Sequence, residues 1–143
     1  MTSELESLHL LEKLVVAFTE AFNREDIDEV MSYFAEDAIY DEFNDIRHEG
    51  LAAIRKAFEP QFSGAFGKMR FHTEDMFLDV GTSKAMTRWV LTLEGEDRAG
   101  AYRGLDLLLF NDGKLVEKHT YCKAKVPFIR KKADMTAAGN WPA

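Results

Sequence analysis

The stretch YRGLDLLLFNDGKLVEKHTY, Tyr102–Tyr121, reads as two strands joined by a turn. Asn111, Asp112 and Gly113 are turn formers, and the flanks are rich in Leu, Val, Tyr and Phe. Alternation puts Tyr102, Gly104, Asp106, Leu108 and Phe110 on one face of the first strand. Arg103, Leu105, Leu107 and Leu109 take the other face. Both faces are largely apolar, so both need a cover. The helices are expected to supply one and a second copy of the chain the other. Asp106 then sits within an apolar face, where a carboxylate needs a partner.

The turn selects that partner. A three-residue loop with Gly113 in the left-handed conformation pairs Phe110 with Lys114, and so Asp106 with Lys118. A two-residue Asp-Gly turn pairs Asp106 with His119 instead. The first register is the expected one, and it puts Val116, Lys118, Thr120 and Cys122 on the face of Asp106. In one reading Asp106 and Lys118 are a partly buried ion pair within the core. In the other they line a pocket in which a ligand shares the cost of desolvation.

Upstream, the pattern changes to helical. Ser3 and Glu6 have capping-box spacing. Leu8, Leu11, Leu14, Val15, Phe18, Ala21 and Phe22 then follow a helical period to about Asn23. Asp26 and Glu29 repeat the cap signal before a short helix carrying Ile27, Val30, Met31 and Phe34. After Gly50, Leu51, Ile54 and Phe58 share a face, and Pro60 is expected to stop this third helix. Strand-like runs follow at 71–80, 85–95, 101–110 and 114–124, with turn signals between them. Helices first and antiparallel strands afterwards indicate an α+β domain. One domain is expected over residues 1–127, with a C-terminal tail at 128–143.

The composition excludes several classes of function. The 143 residues are 46% hydrophobic and 30% charged, as a single globular domain requires. A net charge of -7 argues against a nucleic-acid partner, which needs a basic face. Arg130, Lys131 and Lys132 form a basic cluster, read as a solvated tail. The single cysteine, Cys122, allows no internal disulfide. No basic region followed by an apolar run marks a signal peptide, and no apolar run reaches membrane-spanning length. A cytoplasmic protein without membrane contact is expected. His9, His48, His72 and His119 lack metal-ligand spacing, so no metal is expected and each histidine reads as a surface or strand residue.

Three segments, AFNREDIDEVMSYFAEDAIYDEF, HEGLAAIRKAF and YRGLDLLLFNDGKLVEKHTY, resemble the nuclear transport factor 2-like superfamily. That superfamily includes the SnoaL-like polyketide cyclases and the ketosteroid isomerases. The resemblance runs over about residues 8 to 125. It implies a cone in which a curved antiparallel sheet wraps around three helices and encloses a pocket, with dimers formed through the outer sheet face. Carried over from the isomerases, the general base falls on Glu42 and the second pocket carboxyl on Asp106. Phe18 and Phe58 stand where isomerase tyrosines belong, and neither donates a hydrogen bond. Lys118 also opposes a neutral Asp106. Ketosteroid isomerase activity is therefore not expected. The triad of the limonene-epoxide hydrolases is absent too: Arg88 has no aspartate beside it, and Thr120 stands where the last acid belongs.

The resemblance implies a cofactor-free isomerase, cyclase or hydrolase acting on a small, mostly apolar molecule. Asp106 and Glu42 are its candidate acid/base groups, and Lys118 tunes Asp106. Phe18, Phe34, Tyr40, Phe58, Thr87, Trp89, Tyr102, Leu108 and Thr120 are the candidate ligand contacts. The competing expectations are a non-catalytic binder of small ligands and a structural dimerisation domain, because fold alone does not settle function.

Overall fold

The computed structural model describes residues 3–97 and 99–123. Helix α1, Glu4–Asn23, starts at Ser3, whose hydroxyl accepts from the Glu6 backbone N–H at 3.1 Å. It buries Leu11, Val15, Phe18, Ala21 and Phe22, the stripe expected from the spacing. Helix α2, Ile27–Ser32, starts at Asp26, whose carboxylate accepts from the Glu29 N–H at 3.0 Å. Phe34 was expected on this helix but opens strand β1, Phe34–Asp41. The reason is tertiary. The Tyr33 carbonyl accepts from the Leu115 N–H at 2.8 Å, and that bond draws the chain into the sheet.

Strand β2, Arg47–Glu49, folds back on β1, and helix α3, Leu51–Phe62, follows. Pro60 does not end α3, which runs two residues further. Its missing N–H costs one helical bond, to the Lys56 carbonyl, on a side of the helix that does not pack in the core. Ile54 and Phe58 are fully buried. Strands β3, Lys68–Asp79, β4, Lys84–Glu94, β5, Ala99–Asn111, and β6, Lys114–Cys122, complete the α+β fold. The tail expected at 128–143 lies outside the described residues, as does the Arg130–Lys132 cluster. Among the described residues no helix is long and apolar enough to cross a membrane.

The strands form a single curved, unclosed sheet of six, in the order β2-β1-β6-β5-β4-β3. Strands β3 to β6 pair antiparallel, as the sequence suggests. Strand β1 adds a parallel pairing with β6 that places Tyr40 beside Lys118 and Asp41 beside His119. Aromatic edge-to-face contacts tie the helices to this sheet. Phe18 meets Phe22 and Phe34, and Phe22 meets Phe58 and Phe71, with ring centroids 5.2 to 5.6 Å apart.

The hairpin opposite Asp106 differs from both expected registers. Asp112 and Gly113 have φ of 49° and 75°, so the turn is the two-residue kind, and Asn111 pairs with Lys114. That turn alone would put His119 across from Asp106. A bulge at Val116 adds one residue to β6, so that Phe110 faces Leu115 while Leu109 faces Glu117. Asp106 therefore stands opposite Thr120, and Lys118 stands opposite Leu108. The bulge also restores the parity of the three-residue loop. Lys118, Thr120 and Cys122 share the face of Asp106, as expected, while Leu115 replaces Val116 in the core.

Candidate functional site

Asp106 is 7% exposed and Lys118 5%, on neighbouring strands of the inner sheet face. Lys118 Nζ donates to Asp106 Oδ1 at 3.1 Å and to Thr120 Oγ1 at 2.6 Å. An ammonium only donates, so Thr120 accepts there and gives its own hydrogen to Asp106 Oδ1 at 2.5 Å. Trp89 Nε1–H, also only a donor, reaches Asp106 Oδ2 at 3.0 Å. Three donors thus occupy both oxygens of Asp106. Gly104 makes the last contact possible. It pairs with Trp89, and a Cβ there would stand 2.5 Å from the indole Cη2.

Strand β1 carries the neighbouring wall. The Tyr40 ring lies 4.5 Å from Lys118 Nζ and 4.7 Å from the Phe58 ring centroid. Burial, and then the negative charges of Glu42 and Asp106, push the Tyr40 phenol far above its ordinary range, with the Thr120 hydroxyl opposing. Tyr40 is therefore a neutral donor at any ordinary pH. Two residues on, Glu42 Oε1 meets His48 Nε2 at 2.6 Å. The side chains of this pair are 17% and 20% exposed. Burial and the charge of Asp106 raise the Cys122 thiol, with Lys118 opposing, so the thiol is no activated nucleophile.

These groups surround a cavity of about 620 Å³, within the size range of small-molecule sites. Of the residues singled out in the sequence, Phe18, Tyr40, Glu42, Phe58, Trp89, Tyr102, Asp106, Lys118 and Thr120 line it. Phe34, Thr87 and Leu108 do not. They are 4%, 2% and 3% exposed and buried in the protein interior, because inward parity alone does not distinguish the cavity wall from the core. Sequence reasoning missed the contributions of Phe22, Phe43, Phe66, Met69 and Phe71. His48, read as a surface or strand residue without a site role, lies on β2 with its side chain against Glu42. The turn formers Asn44 and Asp45 were the available signal that residues 40–49 fold back on themselves.

The sequence profile of the SnoaL-like domain matches residues 15–118. No curated protein matches the chain. Among solved structures, the chain is similar to a candidate polyketide cyclase from Xanthomonas campestris pv. campestris. The two share 22% identity and a TM-score of 0.69, over 80% of this chain and 91% of that one. An NTF2-like protein from Mesorhizobium loti aligns with 21% identity and a TM-score of 0.68, over 82% and 93% of the two chains. A protein of cystatin-like fold from Methylobium petroleophilum aligns with 15% identity and a TM-score of 0.69, over 84% and 80%. At such identities the structures speak for the fold, and the profile match speaks for the family. The chain belongs to the SnoaL-like domain family, and it shares its fold with the NTF2-like protein.

Proposed function

We propose that the cavity is the active site of a cofactor-independent enzyme of the isomerase, cyclase or hydrolase kind. Its substrate is a small, mostly apolar molecule, and a cavity carboxylate is its acid/base group. One observation carries this reading: the two cavity carboxylates are held differently. Both oxygens of Asp106 are taken by protein donors, whereas Glu42 has one oxygen on His48 and a second, Oε2, with no hydrogen bond among the described residues. Glu42 is then the base, and Asp106 orients Lys118. The remaining N–H of Lys118 and the neutral Tyr40 phenol are donors for an oxyanion.

The first step common to isomerisation and cyclisation of such molecules is removal of a proton next to a carbonyl. The C–H bond breaks, Glu42 takes the proton, and the electron pair moves to the carbonyl oxygen as an enolate. Incubation of the full chain with 2-tetralone in D2O tests this, with loss of the α-proton NMR signals as the readout. Saturable exchange is expected, reduced about 100-fold or more in Glu42→Gln. Exchange that is absent, or equal in the variant, would overturn the reading.

The saturated state of Asp106 favours a second reading, a non-catalytic binder of small ligands. Binding of 2-tetralone seen in amide NMR shifts, with no exchange, would select it. A second copy of the chain is proposed as the cover of the outer sheet face. There Phe77, Leu107 and Tyr121 are 63%, 43% and 57% exposed, and Phe77, Met86 and Leu107 lie in one row across three strands.

A further inference from the structure

The β1–β2 hairpin is small, since β2 is three residues long. Its two strands nevertheless converge on one side-chain contact. His48 pairs with Tyr40 across the hairpin, and the two rings lie 5.7 Å apart at 30°. The loop between the strands is closed by bonds from the Glu42 N–H to the Ile46 carbonyl at 2.9 Å and from the Asp45 N–H to the Glu42 carbonyl at 3.0 Å. Just beyond β2, the Gly50 N–H reaches the Ala38 carbonyl at 2.8 Å. The backbones of both Glu42 and His48 are thus tied before their side chains meet. The meeting is short, 2.6 Å from Nε2 to Oε1, and it places the pair between the cavity and solvent.

We infer that His48 is the positioning residue of Glu42: its Nε2–H anchors Oε1 and leaves Oε2 as the one reactive oxygen of the cavity. The inference rests on Glu42 being the base. A glutamate has three rotatable side-chain bonds, and a base free to turn about them spends most of its time misaimed. Orientation is a large share of what a protein adds to such a step. The anchor acts on one oxygen alone, so it leaves the other available to a proton on carbon. The Tyr40 ring supports the imidazole from one side, which keeps the anchor itself in place. Asp106 has no equivalent freedom to lose, since its three partners hold it from both ends.

Two measurements on the full chain test the inference. The first is 2-tetralone exchange in His48→Phe and His48→Gln, with circular dichroism as the check on folding. His48→Phe keeps a ring against Tyr40 and removes the donor. His48→Gln restores an N–H donor on a flexible arm. The expected result is a fall in the maximal exchange rate of about tenfold or more in the Phe variant, at unchanged half-saturation, with most of it recovered in the Gln variant. Equal rates in wild type and Phe variant, or equal losses in both variants, would overturn it. A wild-type rate that does not depend on Glu42→Gln would instead fail the underlying reading and leave the anchor to the second measurement. That measurement needs no variant of His48. Long-range 1H–15N NMR of the neutral imidazole is expected to give the Nε2–H tautomer. The Nδ1–H tautomer would overturn the inference, whatever the exchange assay reports.

Discussion

Trp89 Nε1 stands 3.0 Å from Asp106 Oδ2, and the indole reaches it by lying over Gly104 on the adjacent strand. A residue without a side chain is thus what completes the coordination of a buried carboxylate two positions along its own strand. Asp106 is tolerated in an apolar strand because every donor it needs is built into β4 and β6.

Asp106→Asn is expected to destabilise the chain by about 3 kcal/mol, the usual loss when one partner of a buried ion pair is removed. The amide cannot replace the carboxylate. With its oxygen on Lys118 and Thr120, its NH2 faces the Trp89 N–H, donor against donor. The double change Asp106→Leu with Lys118→Met removes both charges and is expected to cost clearly less. Urea unfolding of both variants measures this, and an equal loss in the two would show that the pair is not the source.

Gly104→Ala is expected to push the Trp89 indole off Asp106, because the new Cβ stands 2.4 Å from the Tyr121 carbonyl oxygen as well. Overpacking of this kind costs about 1–3 kcal/mol. Trp89 emission, isolated by subtracting the Trp89→Phe spectrum, reports whether the ring has moved. An unchanged spectrum with full stability would contradict the close packing described.

The Cys122 thiol is expected to titrate above its value in the unfolded chain, since burial comes first among the causes and the charge of Asp106 second. Only the thiolate alkylates, so the pH midpoint of iodoacetamide labelling should lie higher in the native chain than in urea. In Asp106→Asn it should move down, as one of the two raising causes is removed. A native midpoint below the unfolded one would mean an activated thiol. Cys122 is the single cysteine, so labelling needs no assignment.

Leu107 stands near the middle of the outer face, between Met86 on β4 and His119 on β6. If a second copy covers that face, Leu107→Arg places two charges at the interface and shifts the protein toward the monomer. Sedimentation equilibrium of wild type and variant reads the shift, and a wild-type monomer at every concentration would remove the dimer. His119 lies at the edge of this patch, bonded to Asp41 at 2.7 Å and to Glu117 at 3.0 Å.

Much of the architecture follows from local rules acting over a few residues. Ser3 and Asp26 cap their helices because side-chain oxygens meet N–H groups three positions on. The inward parity of Asp106, Trp89 and Tyr102 follows from the two-residue repeat of a strand, and the position of the hairpin follows from Asp112-Gly113. The partner of Asp106 did not follow from counting alone. The bulge at Val116 buries Leu115 and Lys118 on the same face despite their odd spacing, and that choice belongs to the packed core rather than to the hairpin. The same holds for β1, whose irregular burial gives no clear period and whose pairing with β6 spans more than seventy residues of chain. The Glu42–His48 contact depends on that pairing for its place on the cavity wall. Caps, periods and turns are encoded within a few residues of one another. Sheet order, register and the separation of cavity wall from filled core depend on which distant surfaces exclude water together.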